Sequence, residues 1–437
     1  MNEVLEKLND RKILILGFGR EGQSTLNFLR KYFPQKKIAI ADQNKIQIDD
    51  PNVEIFSGEN YLSKIKNYQI IFKSPGIPNK IKEIKIAKRE GIEITSQTKL
   101  FFDLCRGEII GITGTKGKST TTSLIFHILQ TAKIPSLILG NIGQPSLDYL
   151  GDDFGKGKAF VFEMSSHQLS DLTKSPHIAV FLNIFREHLD YYESFDDYFN
   201  AKANITKYQN ENDFFIYNSS FLKIAKVAEE TKAKKMPFNL EMNIIDLPRT
   251  TLKGEHNVNN IYAATLVARA MGISDTIIKK AITTFQPLEH RLQKVGEFRG
   301  VSFYDDTLAT IPEATIAAVK SFDNGKVGSL ILGGSDRGQD FTELAKFILD
   351  VKIPCLILFP TTGERIWKEI TKLEKNNLPK HFFIDNMKDA VTKAYENTKR
   401  GKICLLSSAS PSFSIFKNYE DKSKQFTSWV YNLSHYG

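Results

Sequence analysis

The stretch Gly111–Thr120, reading Gly-Ile-Thr-Gly-Thr-Lys-Gly-Lys-Ser-Thr, limits what this chain can fold into more than any other. The run Glu108–Thr113 leading into it reads as a strand. The run Ser119–Gln130 leading out of it reads as a helix, with Leu124, Ile128 and Leu129 on one side. A glycine-rich turn between strand and helix gathers backbone N–H groups and a helix N-terminus around one point, which suits a phosphate. Lys118 adds a mobile positive charge, and the hydroxyls of Ser119 and Thr120 can serve Mg2+. The general phosphate-loop spacing wants its first glycine at position 112, where this chain has Ile112, with Gly111 one place early. The match is therefore to the variant Thr-Gly-Thr-x-Gly-Lys-Ser-Thr.

A second nucleotide signal lies near the start. The apolar run Lys12–Leu16 meets Gly17, Phe18, Gly19 and Gly22, then a helical run Gln23–Tyr32 and a strand Lys37–Ala41 that ends in Asp42. Glycines for the turn, a helix N-terminus for a pyrophosphate and an acid for a ribose hydroxyl make a dinucleotide fingerprint. NAD, FAD and a UDP-sugar all satisfy it. Ser74, Pro75 and Gly76 follow the strand Gln69–Phe72 as a stiff turn at a strand's C-terminal end, where open α/β sheets bind ligands.

Further strands end in polar groups. Leu137–Gly140 leads to Asn141. Ala159–Phe162 leads to Glu163, an acid that is costly at the end of an apolar strand unless paired or bound to metal. Ile178–Leu182 leads to Asn183, Glu187, His188 and Asp190, and a helix carrying Lys202 follows. His256, Asn257 and Asn260 share the first turn of another predicted helix, and the asparagine amides suit an adenine edge. Beyond the junction at Pro287, Arg291 can reach a phosphate. A third run of alternating strands and helices then carries Asp305 and Asp306, Gly333 to Arg337, and Ser407 to Ser412. A strand-then-helix alternation of this kind predicts mainly parallel sheets.

A chain of 437 residues suggests about three domains of ~150 residues. The expected fold class is α/β in three parts: residues 1–97, a Rossmann-like domain for a UDP substrate; 98–287, a central P-loop-type ATPase domain with a mainly parallel sheet; and 288–437, a Rossmann-like domain for an incoming amino acid. Lys+Arg 59 against Asp+Glu 50 gives a net +9, but the lysines are scattered and no arginine-rich arm appears, so nucleic acid is not an expected partner. No apolar run reaches the ~18–20 residues of a membrane span, and the opening residues are too polar for a signal peptide. The widely spaced Cys105, Cys355 and Cys404 read as buried thiols in a reducing cytosol.

The sequence resembles the Mur ligases of peptidoglycan synthesis along its whole length. The likeness is carried, in order, by Gly17–Gly19, Ser74–Ile77, Thr113–Thr120, Gly140–Gly143, Glu163–Leu169, Glu187–Asp190, Lys202, His256–Asn260, His290–Arg291, Asp306, Gly333–Gly338 and Leu406–Ser412. It implies an ADP-forming amide ligase. ATP phosphorylates a terminal carboxylate, and an amine then attacks the acyl phosphate. It implies UDP-N-acetylmuramoyl-L-alanine and glutamate as partners beside ATP, in a cytoplasmic monomer. Lys118, Glu163, His188 and Lys202 would be catalytic. Ser119, Glu163, His188 and a carbamylated Lys202 would bind Mg2+. Gly114, Thr115, Lys116, Gly117, Lys118, Ser119, Thr120, Asn257, Asn260, Arg291 and Asp306 would hold ATP. Gly17, Phe18, Gly19, Asp42, Ser74, Pro75, Gly76, Asn141 and His188 would face the UDP substrate. Thr310, Arg337, Ser412, Phe413 and Tyr419 would surround the amino acid. The resemblance favours D-glutamate; Leu308 departs from the family's lysine and Arg337 stands where a lysine is common, which keeps an L-glutamate-adding ligase on the same nucleotide open. A nicotinamide-dependent redox enzyme would use the first segment alone. A non-catalytic nucleotide scaffold would leave Lys118, Glu163, His188 and Lys202 without a purpose.

Overall fold

The computed structural model describes residues 3–140, 144–188, 191–252, 254–286 and 289–434. Asn141, Asp190 and Pro287 lie outside the described residues. The chain divides into two compact units. One is Met1–Pro248 with Asn259–Ile282, and the other is Arg249–Val258 with Thr283–Gly437.

The first unit holds two sheets. Strands β1 (Ile13–Leu16), β2 (Ile38–Asp42), β3 (Val53–Ser57), β4 (Ile70–Lys73) and β5 (Glu93–Thr95) form an all-parallel sheet in the order β3-β2-β1-β4-β5. Strands β6 (Glu108–Thr113), β7 (Ser136–Gly140), β8 (Ala159–Glu163), β9 (Ile178–Phe181), β10 (Phe214–Asn218) and β11 (Lys234–Phe238) form a second, also all parallel, in the order β11-β10-β9-β6-β8-β7. Both orders reverse direction beside their first strand, at β1/β4 and at β6/β9. Ligands of open α/β sheets sit at such points, outside the strands' C-terminal ends. Helices on both faces explain why β1, β4, β8 and β9 are buried at every position and read as apolar runs, broken only by Lys73 and Glu163 at the ends of β4 and β8.

The helix Gln97–Leu104 joins the two sheets. Ser96 caps it through a bond from the Lys99 N–H, and Phe101 lies edge-on to Phe160 and Phe162 of β8 at ring distances of 5.2 and 5.8 Å. One apolar cluster runs from Ile13 and Ile40 through Phe101 to Phe160 and Phe181.

The second unit holds β12 (Gln293–Phe298), β13 (Val301–Asp305), β14 (Val327–Leu332), β15 (Cys355–Leu358), β16 (Lys380–Phe383) and β17 (Ile403–Leu406), in the order β12-β13-β17-β14-β15-β16. Only the β12/β13 pair is antiparallel. Together the three sheets give the α/β architecture expected from the strand-helix alternation. The helix after Gly22 starts earlier than the pattern suggests, at Arg20, because extended Gly19 already caps it.

Candidate active site

The first sheet's turn is built around Gly17, at φ +90°. A Cβ there would stand 2.8 Å from Ser74 Oγ. The approach is used: Ser74 Oγ donates to Gly17 O at 2.9 Å, and Gly17 N–H donates to Ala41 O at 2.8 Å. Asp42 accepts from the Phe18 N–H at 2.7 Å and the Asn44 N–H at 2.8 Å. Its carboxylate therefore shapes the turn, with acceptor capacity left for a ribose hydroxyl. The turn Ser74–Ile77, which includes Pro75 and Gly76, is held by Tyr191, whose hydroxyl lies 3.2 Å from both Pro75 O and Ile77 O.

The phosphate turn follows β6, the strand flanked by β8 and β9. Gly117 takes φ +82° and caps the helix Lys118–Thr131. A Cβ on it would meet Asn260 Oδ1 at 2.4 Å, and that oxygen accepts from Thr121 Oγ1 at 3.2 Å. We expect Gly117→Ala to raise the KM for ATP by about ten-fold or more while lowering the melting point, because alanine is strained at this φ and displaces Asn260. Unchanged ATP kinetics in that variant would remove Gly117 from the site.

Asn183, just beyond β9, clamps the turn. Its Oδ1 accepts from the N–H groups of Thr115 and Lys116 at 3.1 and 2.8 Å, and its Nδ2 donates to Lys116 O at 2.9 Å. Thr115 Oγ1 bonds the Tyr198 hydroxyl at 3.1 Å. Lys118 Nζ folds back on the carbonyls of Gly114 and Thr115, each at 3.0 Å.

Charged groups converge here. Lys116 Nζ pairs with Glu187 Oε1 at 3.2 Å. Burial works against the Glu187 charge, but Lys116, His188 and Lys118 overcome it and hold its carboxyl down at about 2. Lys202, on the helix Phe195–Ala203, is 2 % exposed and donates to Gly114 O at 2.9 Å. Burial and then the nearby Lys118 charge push its amine well below the usual lysine range, against the pull of Glu187 and Glu163. Glu163 ends β8 in register with Ile112 of β6 and is 3 % exposed. Its Oε2 has no hydrogen-bond partner among the described residues. A buried carboxylate oxygen left unpaired beside a phosphate turn suits a cation. His188 sits at φ +58°, unusual for a residue with a side chain, and its ring lies 5.1 Å from His167 and 5.9 Å from Tyr198. Among the described residues no three His, Cys, Asp or Glu cluster as a metal cage. The donors that fit Mg2+ are instead a hydroxyl and a carboxylate, Ser119 and Glu163.

The first unit thus brings Gly114 to Thr120, Glu163, His188 and Lys202 to one sheet edge, with Asn260 packed against the turn. Sequence reasoning did not assign Asn183, Glu187 or Tyr198 a role. The signal for the first two was their place at the end of a strand next to the phosphate strand.

In the second unit, Asp306 accepts from the Leu292 N–H at 3.2 Å and from Ser407 Oγ at 2.8 Å. Burial raises its carboxyl to about 7, although Ser407, Arg291 and the Leu292 N–H pull the other way. The proton held by the folded form is absent from the unfolded chain above the ordinary value of 3.8. Stability from this group is therefore full below about pH 4 and lost as pH rises toward 7. Melting curves of Asp306→Asn should lack that part of the decline between pH 4 and 7; an unchanged slope would contradict it. Burial and the Arg291 charge lower His256 to about 4, which keeps its ring neutral near pH 7. Ser412 is 3 % exposed with its Oγ unpartnered among the described residues, whereas Arg337 and Phe413 are exposed and Thr310 and Leu308 half-buried. Tyr419 faces the His290 ring at 5.8 Å.

Known proteins match this chain from end to end. The Mur ligase MurD-like N-terminal domain matches residues 11–96, the Mur ligase middle domain 112–268, and the Mur ligase glutamate ligase domain 290–410. The UDP-N-acetylmuramoylalanine–D-glutamate ligase of Acetivibrio thermocellus is 32% identical, covering 99% of both chains. The enzyme of the same name from Listeria monocytogenes is 32% identical over 95% of each. Two solved structures share the fold. The MurF ligase of Thermotoga maritima in complex with ADP has a TM-score of 0.62 at 15% identity, covering 99% of this chain and 100% of that one. The UDP-N-acetylmuramate-alanine ligase MurC of Thermotoga maritima has a TM-score of 0.60 at 17% identity, covering 97% and 99%. With three domain matches in order and relatives aligned over nearly every residue, the chain belongs to the Mur ligase family.

Proposed function

We propose that this chain is an ATP-dependent ligase that adds D-glutamate to UDP-N-acetylmuramoyl-L-alanine during peptidoglycan precursor synthesis. The observation that carries the chemistry is the meeting of a clamped phosphate turn, the unpaired buried Glu163 oxygen and the neutral-leaning Lys202 amine at the ends of β6 and β8. The substrate reading draws on the names of the relatives. The three domains are bounded near residues 97 and 287, and the enzyme works in the cytoplasm as a monomer.

ATP sits with its phosphates against the N–H groups of residues 114–120. Lys118 turns from its two carbonyls to the terminal phosphates. Asn257, Asn260 and His256 serve the adenine, Arg291 the phosphates and Asp306 the ribose. The UDP end lies along Gly17–Gly19, Asp42 and Ser74–Gly76, with Asn141 and His188 toward the muramoyl-alanine end. A carboxylate oxygen of the alanine attacks the γ-phosphorus and ADP leaves. The amine of glutamate, held by Thr310, Arg337, Ser412, Phe413 and Tyr419, attacks the acyl carbon. The C–O bond to phosphate breaks and the amine proton is lost. No covalent enzyme intermediate is needed, so the protein supplies position and charge. Ser119 and Glu163 would hold one Mg2+, with His188 and a carbamylated Lys202 binding or orienting a second, and the ions would supply charge neutralisation to the phosphates. A neutral Lys202 amine can add CO2, forming an N–C bond and releasing a proton, which converts a buried neutral amine into an anionic carbamate.

The test is one product assay with D- and L-glutamate side by side. L-glutamate is included because Leu308 removes a cation from the amino-acid side. ADP release that requires the nucleotide and D-glutamate supports the reading. Release with L-glutamate alone transfers it to the L-adding ligase, and release stimulated by neither sinks it.

A further inference from the structure

Lys422 and Ser423 are neighbours on the helix Tyr419–Ser434, at 0 % and 2 % exposure. Lys422 Nζ donates to Gly333 O at 3.0 Å and to Ser408 Oγ at 2.7 Å. The rings of Phe359 and Phe416 lie at 5.2 and 5.3 Å from it. Gly333 begins the loop after β14 that leads to Arg337, and Ser408 lies in the loop after β17 that leads to Ser412. The two loops are laced together: Gly333 N–H donates to Ser408 O at 2.8 Å and Ser335 N–H to Pro411 O at 2.8 Å. The ammonium is a cross-link beneath them.

Ser423 faces other groups. Its Oγ bonds His290 Nδ1 at 2.7 Å and donates to Asp305 Oδ2. His290 and Asp305 precede Arg291 and Asp306 directly in the chain. Burying an ammonium costs free energy that a methionine of similar length would not, and burial here lowers the lysine to about 7. Packing alone does not explain the choice of residue.

We propose that this helix start is a positioning element for both ends of the third domain's chemistry, with Lys422 fixing the loops that hold the amino acid and Ser423 fixing the pair that aims Arg291 and Asp306 at the nucleotide. This rests on the two subsites proposed above. Neither residue touches substrate, so each acts through others.

The test is steady-state ADP release by the full chain, with glutamate and ATP varied separately. Lys422→Met raises the KM for glutamate by about ten-fold or more with the KM for ATP little changed, and Lys422→Arg restores most of it. Ser423→Ala does the reverse, raising the KM for ATP by about five-fold with glutamate little changed. A shared rise in both constants in either variant, or no rise in either, overturns the proposal. If Lys422→Met does not fold, Ser423→Ala and Lys422→Arg decide: Ser423→Ala moving both constants together, or Lys422→Arg raising the ATP constant, overturns it. If the unaltered chain shows no glutamate-dependent ADP release, the ligase reading itself falls, a result distinct from a failed split between the constants.

Discussion

Replacing Lys202 by methionine lowers kcat by about a thousand-fold or more, a loss of about 4 kcal/mol of transition-state stabilisation. Methionine keeps the length and apolar body of the stem, so the core loses no volume to speak of. Alanine would also leave a cavity worth about 2–5 kcal/mol of stability, confusing a chemical loss with a folding one. Lys202 donates to Gly114 O, and its amine is held toward the neutral form by burial and by Lys118. A neutral amine is the form that takes up CO2. Wild-type enzyme in buffer stripped of CO2 should therefore lose activity and regain it with bicarbonate, while the methionine variant responds to neither. A methionine variant within ten-fold of wild type, with an unchanged circular dichroism spectrum, would falsify the role given to Lys202.

Glu163→Gln should separate activity from stability. The side chain keeps its shape but loses the charge that a divalent cation needs, so kcat/KM falls by about a hundred- to a thousand-fold. The same change relieves a buried carboxylate oxygen that has no partner among the described residues. The melting point should hold or rise. A melting point that falls with the activity would mean Glu163 serves the fold rather than the cation. Raising Mg2+ should recover part of the lost rate in the variant, since weakened binding is overcome by mass action.

Much of this was written in local sequence. Lys12–Asp42 showed its strand, glycines and acid within one βαβ unit, and Glu108–Gln130 showed strand, turn and helix with no gap between them. Such units are short-range, and Gly17 and Gly117 take positive φ values that no other residue meets cheaply. The partners of those units were not legible. Asn183 reaches Thr115 and Lys116 only because β9 pairs with β6. Glu187 stood in the sequence only as one polar residue after an apolar strand, and its partner Lys116 lies in the turn of another strand. Lys422 carried no signal at all, since one lysine in an amphipathic helix ordinarily faces water. The antiparallel β12 was hidden for a different reason: Gln293–Phe298 is half polar and is made a strand by pairing with β13. For Asn183, Glu187 and Lys422 the deciding neighbour lies far away along the chain, and only β12 finds its partner in the next strand.

The Asn183 clamp has a kinetic corollary. A turn already folded around an anion's place gains little order when ATP arrives, so its affinity depends on charge and fit rather than on chain entropy. If the ATP phosphates lie on these amides, the inorganic phosphate freed in each cycle would meet the same donors, and added phosphate should raise the KM for ATP.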